Sequence, residues 1–200
     1  MVRLVLATRN EAKLVELRRI LEPLVAAEVV GLADVPAYQE VPETGATFAE
    51  NALLKAREAV RHTGLPAVAD DSGLAVDALN GMPGVLSARW AGRAADDAAN
   101  RRLVLEQTAD VPEPRRGAAF VCAAALVTPD GREQTVEGRL DGMLTRAPRG
   151  SNGFGYDPVF QPDGETRTTA EMDPAEKDAI SHRGRAFRAL APVVAEALSR

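Results

Sequence analysis

The sequence carries one cysteine, Cys122, in 200 residues. A single thiol excludes a disulfide framework, a CxxC zinc pair and a redox dithiol, and makes the reducing cytoplasm the expected location. No run of about 18 uncharged apolar residues occurs, so no membrane-spanning helix is expected. The opening apolar run, Val2–Ala7, contains Arg3 and is too short for a signal peptide. Aromatics make up only 4% of the chain, few for a protein that binds single strands by base stacking. The net charge of −5 leaves no basic surplus for a nucleic-acid backbone. Repeats, charge blocks and low-complexity segments are also missing. These exclusions leave room for a small anionic ligand held by a few local cations.

Lysine is scarce in an informative way. Of 24 basic residues only Lys13, Lys55 and Lys177 are lysines, and the rest are arginines. Positions that keep a compact, mobile ammonium where the chain otherwise uses a planar fork are candidates for a specific task. All three fall in segments that look chemical on other grounds.

With 46% hydrophobic residues, the chain can bury a sizeable core in one or two lobes. Val2–Ala7 reads as a buried strand. Leu14, Leu17, Ile20, Leu21 and Leu24 form a helical stripe over 11–24, ending near Pro23. A second strand is predicted over 28–32, then a loop over 33–44. Thr47 and Glu50 form a capping box for a helix over 47–62, with Gly64 beyond its end. A short strand over 67–69 leads into Asp70-Asp71-Ser72-Gly73. Asp96 or Asp97 caps a helix running to Thr108. The stretch 117–128 is a long apolar strand, turned at Pro129-Asp130-Gly131 into a second over 133–140. The last stretch is helical from Asp173-Pro174, and Pro192 is expected to kink or interrupt it. Strands and helices alternate at first and a long hairpin follows, which predicts an α/β chain with a mixed sheet.

Thr8-Arg9-Asn10-Glu11-Ala12-Lys13 joins the first strand to the first helix. Free N–H groups at a helix start favour anions, and Lys13 projects from the first turn toward the same place. The plain alternative is Asn10 as an N-cap. Glu43-Thr44-Gly45 precedes the next helix, on which Asn51 and Lys55 share a face. The strongest local signal is Asp70-Asp71: adjacent carboxylates after an apolar strand suit a metal ligand and a base, although Asp and Ser can also simply bond their own turn. Gly153-Phe154-Gly155-Tyr156-Asp157 interleaves aromatics with glycines, offering either a face for a base or a structural turn. Arg183 could donate to a purine keto oxygen and reject an adenine amino group. Beside His182 it could equally be a surface pair. Cys122 and Trp90 read as core or interface residues.

Taken together, LATRNEAK, ETGATFAENALLKA, ADDSGLAVDALNGMPGVLSARWAG, GFGYDPVF and EKDAISHRGRA resemble the inosine/xanthosine triphosphate pyrophosphatase family, in its order, from residue 6 to residue 186. The resemblance implies one α/β domain over residues 1–200, with two lobes around a long central mixed sheet and a nucleotide cleft between them. It also implies a homodimer and dependence on Mg²⁺. By matching position, Thr8, Arg9, Asn10, Glu11, Ala12 and Lys13 would hold the triphosphate, with Asn51 and Lys55 beside it and Ser72 touching substrate. Glu43 and Asp71 would hold Mg²⁺ with support from Asp70, and Asp71 would also accept a proton from the attacking water. Phe154, Gly155, Tyr156, Asp157, Lys177, His182 and Arg183 would surround base and sugar. The implied reaction converts ITP, dITP or XTP to monophosphate and pyrophosphate. The rivals are a pyrophosphatase with another base preference and a non-catalytic nucleotide binder.

Overall fold

A computed structural model describes residues 2–39, 41–92 and 96–199. Six strands form one sheet in the order β2-β1-β3-β4-β5-β6. These are β1 (Arg3–Leu6), β2 (Glu28–Val30), β3 (Ala67–Val76), β4 (Gly117–Val127), β5 (Glu133–Leu144) and β6 (Phe160–Pro162). The helices are α1 (Glu11–Leu21), α2 (Phe48–Thr63), α3 (Asp97–Gln107), α4 (Pro174–Ile180) and α5 (His182–Leu198), with short 3-10 turns between them. β1 runs parallel to β2 and β3, whereas β6 pairs antiparallel with β5, so the sheet is mixed as expected.

The chain divides into two compact units. One comprises Met1–Asp71, Cys122–Gly138 and His182–Arg200, the other Ser72–Val121 and Arg139–Ser181. Three of the boundaries fall inside β3, β4 and β5, which is why no linker shows in the sequence.

In the first unit, side-chain alternation along the strands divides the core in two. Leu4, Leu6, Val68, Cys122, Ala124 and Leu126 pack with Leu17, Ile20 and Leu21 of α1 and with Phe187, Leu190 and Val194 of α5. The opposite register, Val5, Ala7, Ala67, Ala69, Ala123, Ala125 and Val127, packs with Ala52, Ala56 and Ala59 of α2. Each large aliphatic residue buried this way contributes about 1.5–3 kcal/mol. In the second unit Leu74, Val76, Val104, Phe120, Leu140, Tyr156 and Phe160 form the core.

Four element readings change. β3 does not stop at Ala69: it continues for ten residues through both aspartates. Cations from the facing helices compensate the carboxylates and let them lie inside a strand. At Gly73 a Cβ would collide with Ser87 and the Gly84 carbonyl. β5 reaches Leu144, where Gly142, Met143 and Leu144 pair with β6, a three-residue strand too short to show alternation. α1 ends at Leu21, short of Leu24. α5 runs through Pro192 without interruption, because buried Phe187, Leu190, Ala191 and Val194 hold it on the core.

Candidate active site

Asp70 and Asp71 are neighbours in β3, so alternation sends their side chains to opposite faces of the sheet. Asp71 follows Ala67 and Ala69 onto the α2 face. There Asp71 Oδ1 accepts from Lys55 Nζ at 3.2 Å, and Lys55 Nζ donates to Glu43 Oε1 at 2.7 Å. Asn51 is fully buried and bridges: its Nδ2 donates to Asp71 Oδ2 at 3.1 Å, while its Oδ1 accepts the Gly45 N–H at 2.8 Å. The Thr47–Glu50 capping box starts α2 as expected and sets this spacing. Gly45 is required here, since a Cβ would press on Asn51 and Glu50. Two carboxylates thus share one ammonium. Burial, reinforced by Glu43, lifts Asp71 above the ordinary carboxylate range despite Lys55. Burial would lower Lys55, but Asp71, Asp70 and Glu43 outweigh it and keep the ammonium charged.

Asp70 follows Val68 onto the α1/α5 face and is 1% exposed. Its Oδ2 accepts from Lys13 Nζ at 3.0 Å and from Arg183 Nε at 3.4 Å. Arg183 Nη1 donates onward to Glu16 Oε2 at 2.7 Å. Burial alone would raise Asp70; Lys13 and Arg183 more than cancel that and hold it far below the ordinary range. The row Glu16–Arg183–Asp70–Lys13 therefore alternates in sign and carries no net charge. Lys13, with 15% of its side chain exposed, is the most accessible of the four.

Asn10 is the N-cap of α1, accepting the Lys13 N–H at 3.0 Å, and Thr8 Oγ1 accepts the Asn10 N–H at 3.2 Å. Glu11 and Ala12 open the first turn of the helix. Arg9 Nη2 donates to the Tyr38 carbonyl at 2.7 Å, with its guanidinium 5.6 Å from the centre of the Tyr38 ring. Arg9 thus ties the first loop to the loop that leads to Glu43. Thr8 and Ser72 are half-buried.

In the second unit Asp157 is 2% exposed and organises the glycine–aromatic loop. It accepts from Lys177 Nζ at 2.7 Å, the Phe154 N–H at 2.9 Å and Thr169 Oγ1 at 2.8 Å. Lys177 Nζ stands 5.1 Å from the centre of the Phe154 ring. Tyr156 is core, its hydroxyl donating to the Ser87 carbonyl at 2.8 Å. Within this segment Tyr156 fills the structural role, while Phe154 is half-buried with Lys177 over its ring.

A model of the Ham1 family matches residues 4–193. The chain belongs to the Ham1 family. Within that family, a dITP/XTP pyrophosphatase of Mycobacteroides abscessus is 63% identical over 195 residues, covering 96% of this chain and 95% of that one. A dITP/XTP pyrophosphatase of Streptomyces coelicolor is 61% identical, covering 99% of this chain and all of that one. Among solved structures, a HAM1 protein from Coxiella burnetii superposes with a TM-score of 0.87 at 44% identity, covering 98% of this chain and all of that one. The two pyrophosphatases bear the names of hydrolases of nucleoside triphosphates.

Three features of this Ham1-family site escape sequence reasoning. Glu16 lies on the buried face of α1, where a charge in an apolar stripe was the available signal. Asn51 has both ends of its amide committed to protein groups. His182 and Arg183 are 5% and 2% exposed, so the surface-pair alternative fails. A lone Ser-His-Arg string does not reveal that Glu16, 167 residues away, receives its arginine.

Proposed function

We propose that this chain is a dITP/XTP pyrophosphatase that also accepts ITP, cutting each to its monophosphate and pyrophosphate. The observation that carries the reading is Asp71, a carboxylate with a raised pKa held between Asn51 and Lys55 and beside Glu43. The names of the relatives support the substrate class.

In this reading a water held by Asp71 attacks the α-phosphorus. The oxygen–phosphorus bond forms, the bond to the β-phosphate oxygen breaks, and the water's proton passes to Asp71. A carboxylate raised toward neutrality is a better proton acceptor than an ordinary one, and general-base assistance contributes roughly 10²–10⁴-fold. Lys55 and Lys13 are the cations that offset phosphate charge, which is most of what phosphoryl transfer asks of a protein. Asn51 holds Asp71 in place. Asp70, on the other face with Lys13 and Arg183, is assigned here to positioning Lys13.

The residues fit Mg²⁺. Two carboxylates sharing one ammonium leave negative charge in excess, and the donors are hard oxygens. Among the described residues no group of three or more His, Cys, Asp and Glu forms a protein-only cage, so phosphate oxygens and water would supply the remaining ligands. Glu43 and Asp71 are the residues that would hold the ion, whose charge would offset that of the phosphates when bound. Phe154, Asp157 and Lys177 are proposed for the base and sugar, and Thr8 to Lys13 for the triphosphate. A homodimer, cytoplasmic location and removal of deaminated purine nucleotides before polymerisation belong to the same reading.

The deciding experiment measures pyrophosphate release from ITP, dITP, XTP, GTP, ATP and dUTP, with Mg²⁺ and with chelator. Preferential turnover of ITP, dITP and XTP that is lost in chelator is expected. Equal rates on all six remove the base preference, and binding of XTP without turnover makes the chain a nucleotide binder.

A further inference from the structure

Gly155, in the middle of the glycine–aromatic loop, is held by both of its backbone polar groups from a single helix. Its N–H donates to Asp97 Oδ2 at 2.7 Å, and its carbonyl accepts from Arg101 Nη1 at 2.6 Å. Asp97 and Arg101 are four residues apart on α3 and therefore lie on one face, a turn apart. Gly155 has φ +59, and nothing lies within 4 Å of where a Cβ would stand. Glycine is needed here for the left-handed backbone rather than for space. A left-handed glycine is also the most pliant point of such a loop.

The other residues of the loop are secured by different means. Asp157 accepts the Phe154 N–H, and Tyr156 is buried with its hydroxyl on Ser87. α3 is itself braced against the segment that carries Ser87. Asn100 accepts the Ala91 N–H at 2.7 Å and donates to the Ala88 carbonyl at 3.2 Å, and Gln107 accepts from Trp90 Nε1 at 2.8 Å. Ser87 and Tyr156, α3 and Gly155 thus close a triangle of contacts within one unit. Gly155 is the left-handed glycine of this triangle on which the two α3 side chains act.

We infer that Asp97 and Arg101 are positioning residues that fix the pivot at Gly155 and so set the pitch of the Phe154 ring. The inference rests on the assignment of Phe154 to the purine base. Neither side chain needs to touch the nucleotide: they pre-order the loop, so that binding does not have to pay for ordering it. Stacking on an aromatic depends on the ring being presented in place. Releasing the pivot should weaken substrate binding and blur base preference while leaving the chemical step alone, because neither residue belongs to the Asp71 cluster.

The test compares the full-length protein with Asp97→Ala/Arg101→Met, measuring kcat and KM for XTP and GTP together with thermal melting. The expected result is a KM for XTP raised about tenfold, with kcat within about twofold and a several-fold smaller XTP-to-GTP ratio of kcat/KM. Arg101→Lys, which keeps a donor for the Gly155 carbonyl, should recover part of the KM. Unchanged KM and unchanged selectivity in the folded double variant overturn the inference, as does a fall in kcat with KM intact. If the double variant melts below assay temperature, the exposed single change Asp97→Ala carries the same expectation at smaller size. Phe154→Ala separates the two layers of argument. If it leaves KM and selectivity unchanged, the base assignment fails; if it shifts them and the α3 variants do not, only the inference fails.

Discussion

Two faces of one strand carry neighbouring aspartates to opposite ends of carboxylate chemistry. On the α1/α5 side Asp70 is sealed between Lys13 and Arg183 and held far below its ordinary pKa. On the α2 side Asp71 shares a single ammonium with Glu43 and is raised. Burial pushes both upward, and the number of cations facing each one decides the outcome. One face is arranged to keep a charge permanently; the other keeps a carboxylate that a proton or a cation can reach. A protein that only needed stability would have compensated both.

The sharpest way to break this contrast is Asp71→Asn. The substitution preserves size and leaves one oxygen to accept from Asn51 or Lys55, while removing the proposed proton acceptor. Turnover of XTP should fall by roughly 10²–10⁴-fold, the span of general-base assistance. Stability at neutral pH should not fall, and by the sign of the shift it should rise. A raised folded pKa means that ionising Asp71 costs the fold as pH climbs through that value, and asparagine removes the cost. A variant that keeps more than a few per cent of activity would show that Asp71 is not the acceptor.

Asp70→Asn should behave in the opposite way. Removing one partner of a buried charge row leaves Lys13 and Arg183 short of an anion, at a cost of about 3–5 kcal/mol. In a chain of this length that is a fall in Tm of roughly 10 °C. Asp70 has a depressed folded pKa, so its contribution is present above the ordinary aspartate value and is lost as pH falls below it. The Tm gap between wild type and variant should therefore be widest near neutrality and close in acid. A gap that stays constant from pH 7 to pH 3 would contradict the charge row as its source.

How legible was this contrast? Capping boxes at Thr47 and Asp173, the Gly64 stop and the parallel start of the sheet follow from local rules that the chain obeys. The split of Asp70 from Asp71 was not visible, because two adjacent acids after three apolar residues read as a strand tip. Period-two alternation distinguishes them only once β3 is known to continue to Val76. That continuation depends on Lys13, Arg183 and Lys55, which arrive from distant parts of the sequence. Arg183 illustrates the limit: nothing local in the sequence shows that its guanidinium binds Glu16 and Asp70. Pairings across more than a hundred residues leave no periodic trace.

The smallest expected effect probes the reason for the Asp71 shift itself. After burial, the neighbouring charge that raises Asp71 is Glu43, and Lys55 opposes it. Glu43→Gln removes that charge but keeps an oxygen for Lys55. In the metal-free protein, a carbon-13 NMR titration of the Asp71 carboxyl should then move to lower pH than in wild type, while Asp70 does not move. Lys55→Met should move Asp71 the other way, because the largest influence opposing burial would then be gone. Mg²⁺ added to the wild type should lower the Asp71 midpoint, and should do so less in Glu43→Gln, which has lost one of the two proposed carboxylates. If Glu43→Gln leaves the Asp71 midpoint where it was, burial alone sets the shift. The α2 face would then hold an isolated carboxylate in place of a pair, and the case for a shared cation between Glu43 and Asp71 would go with it.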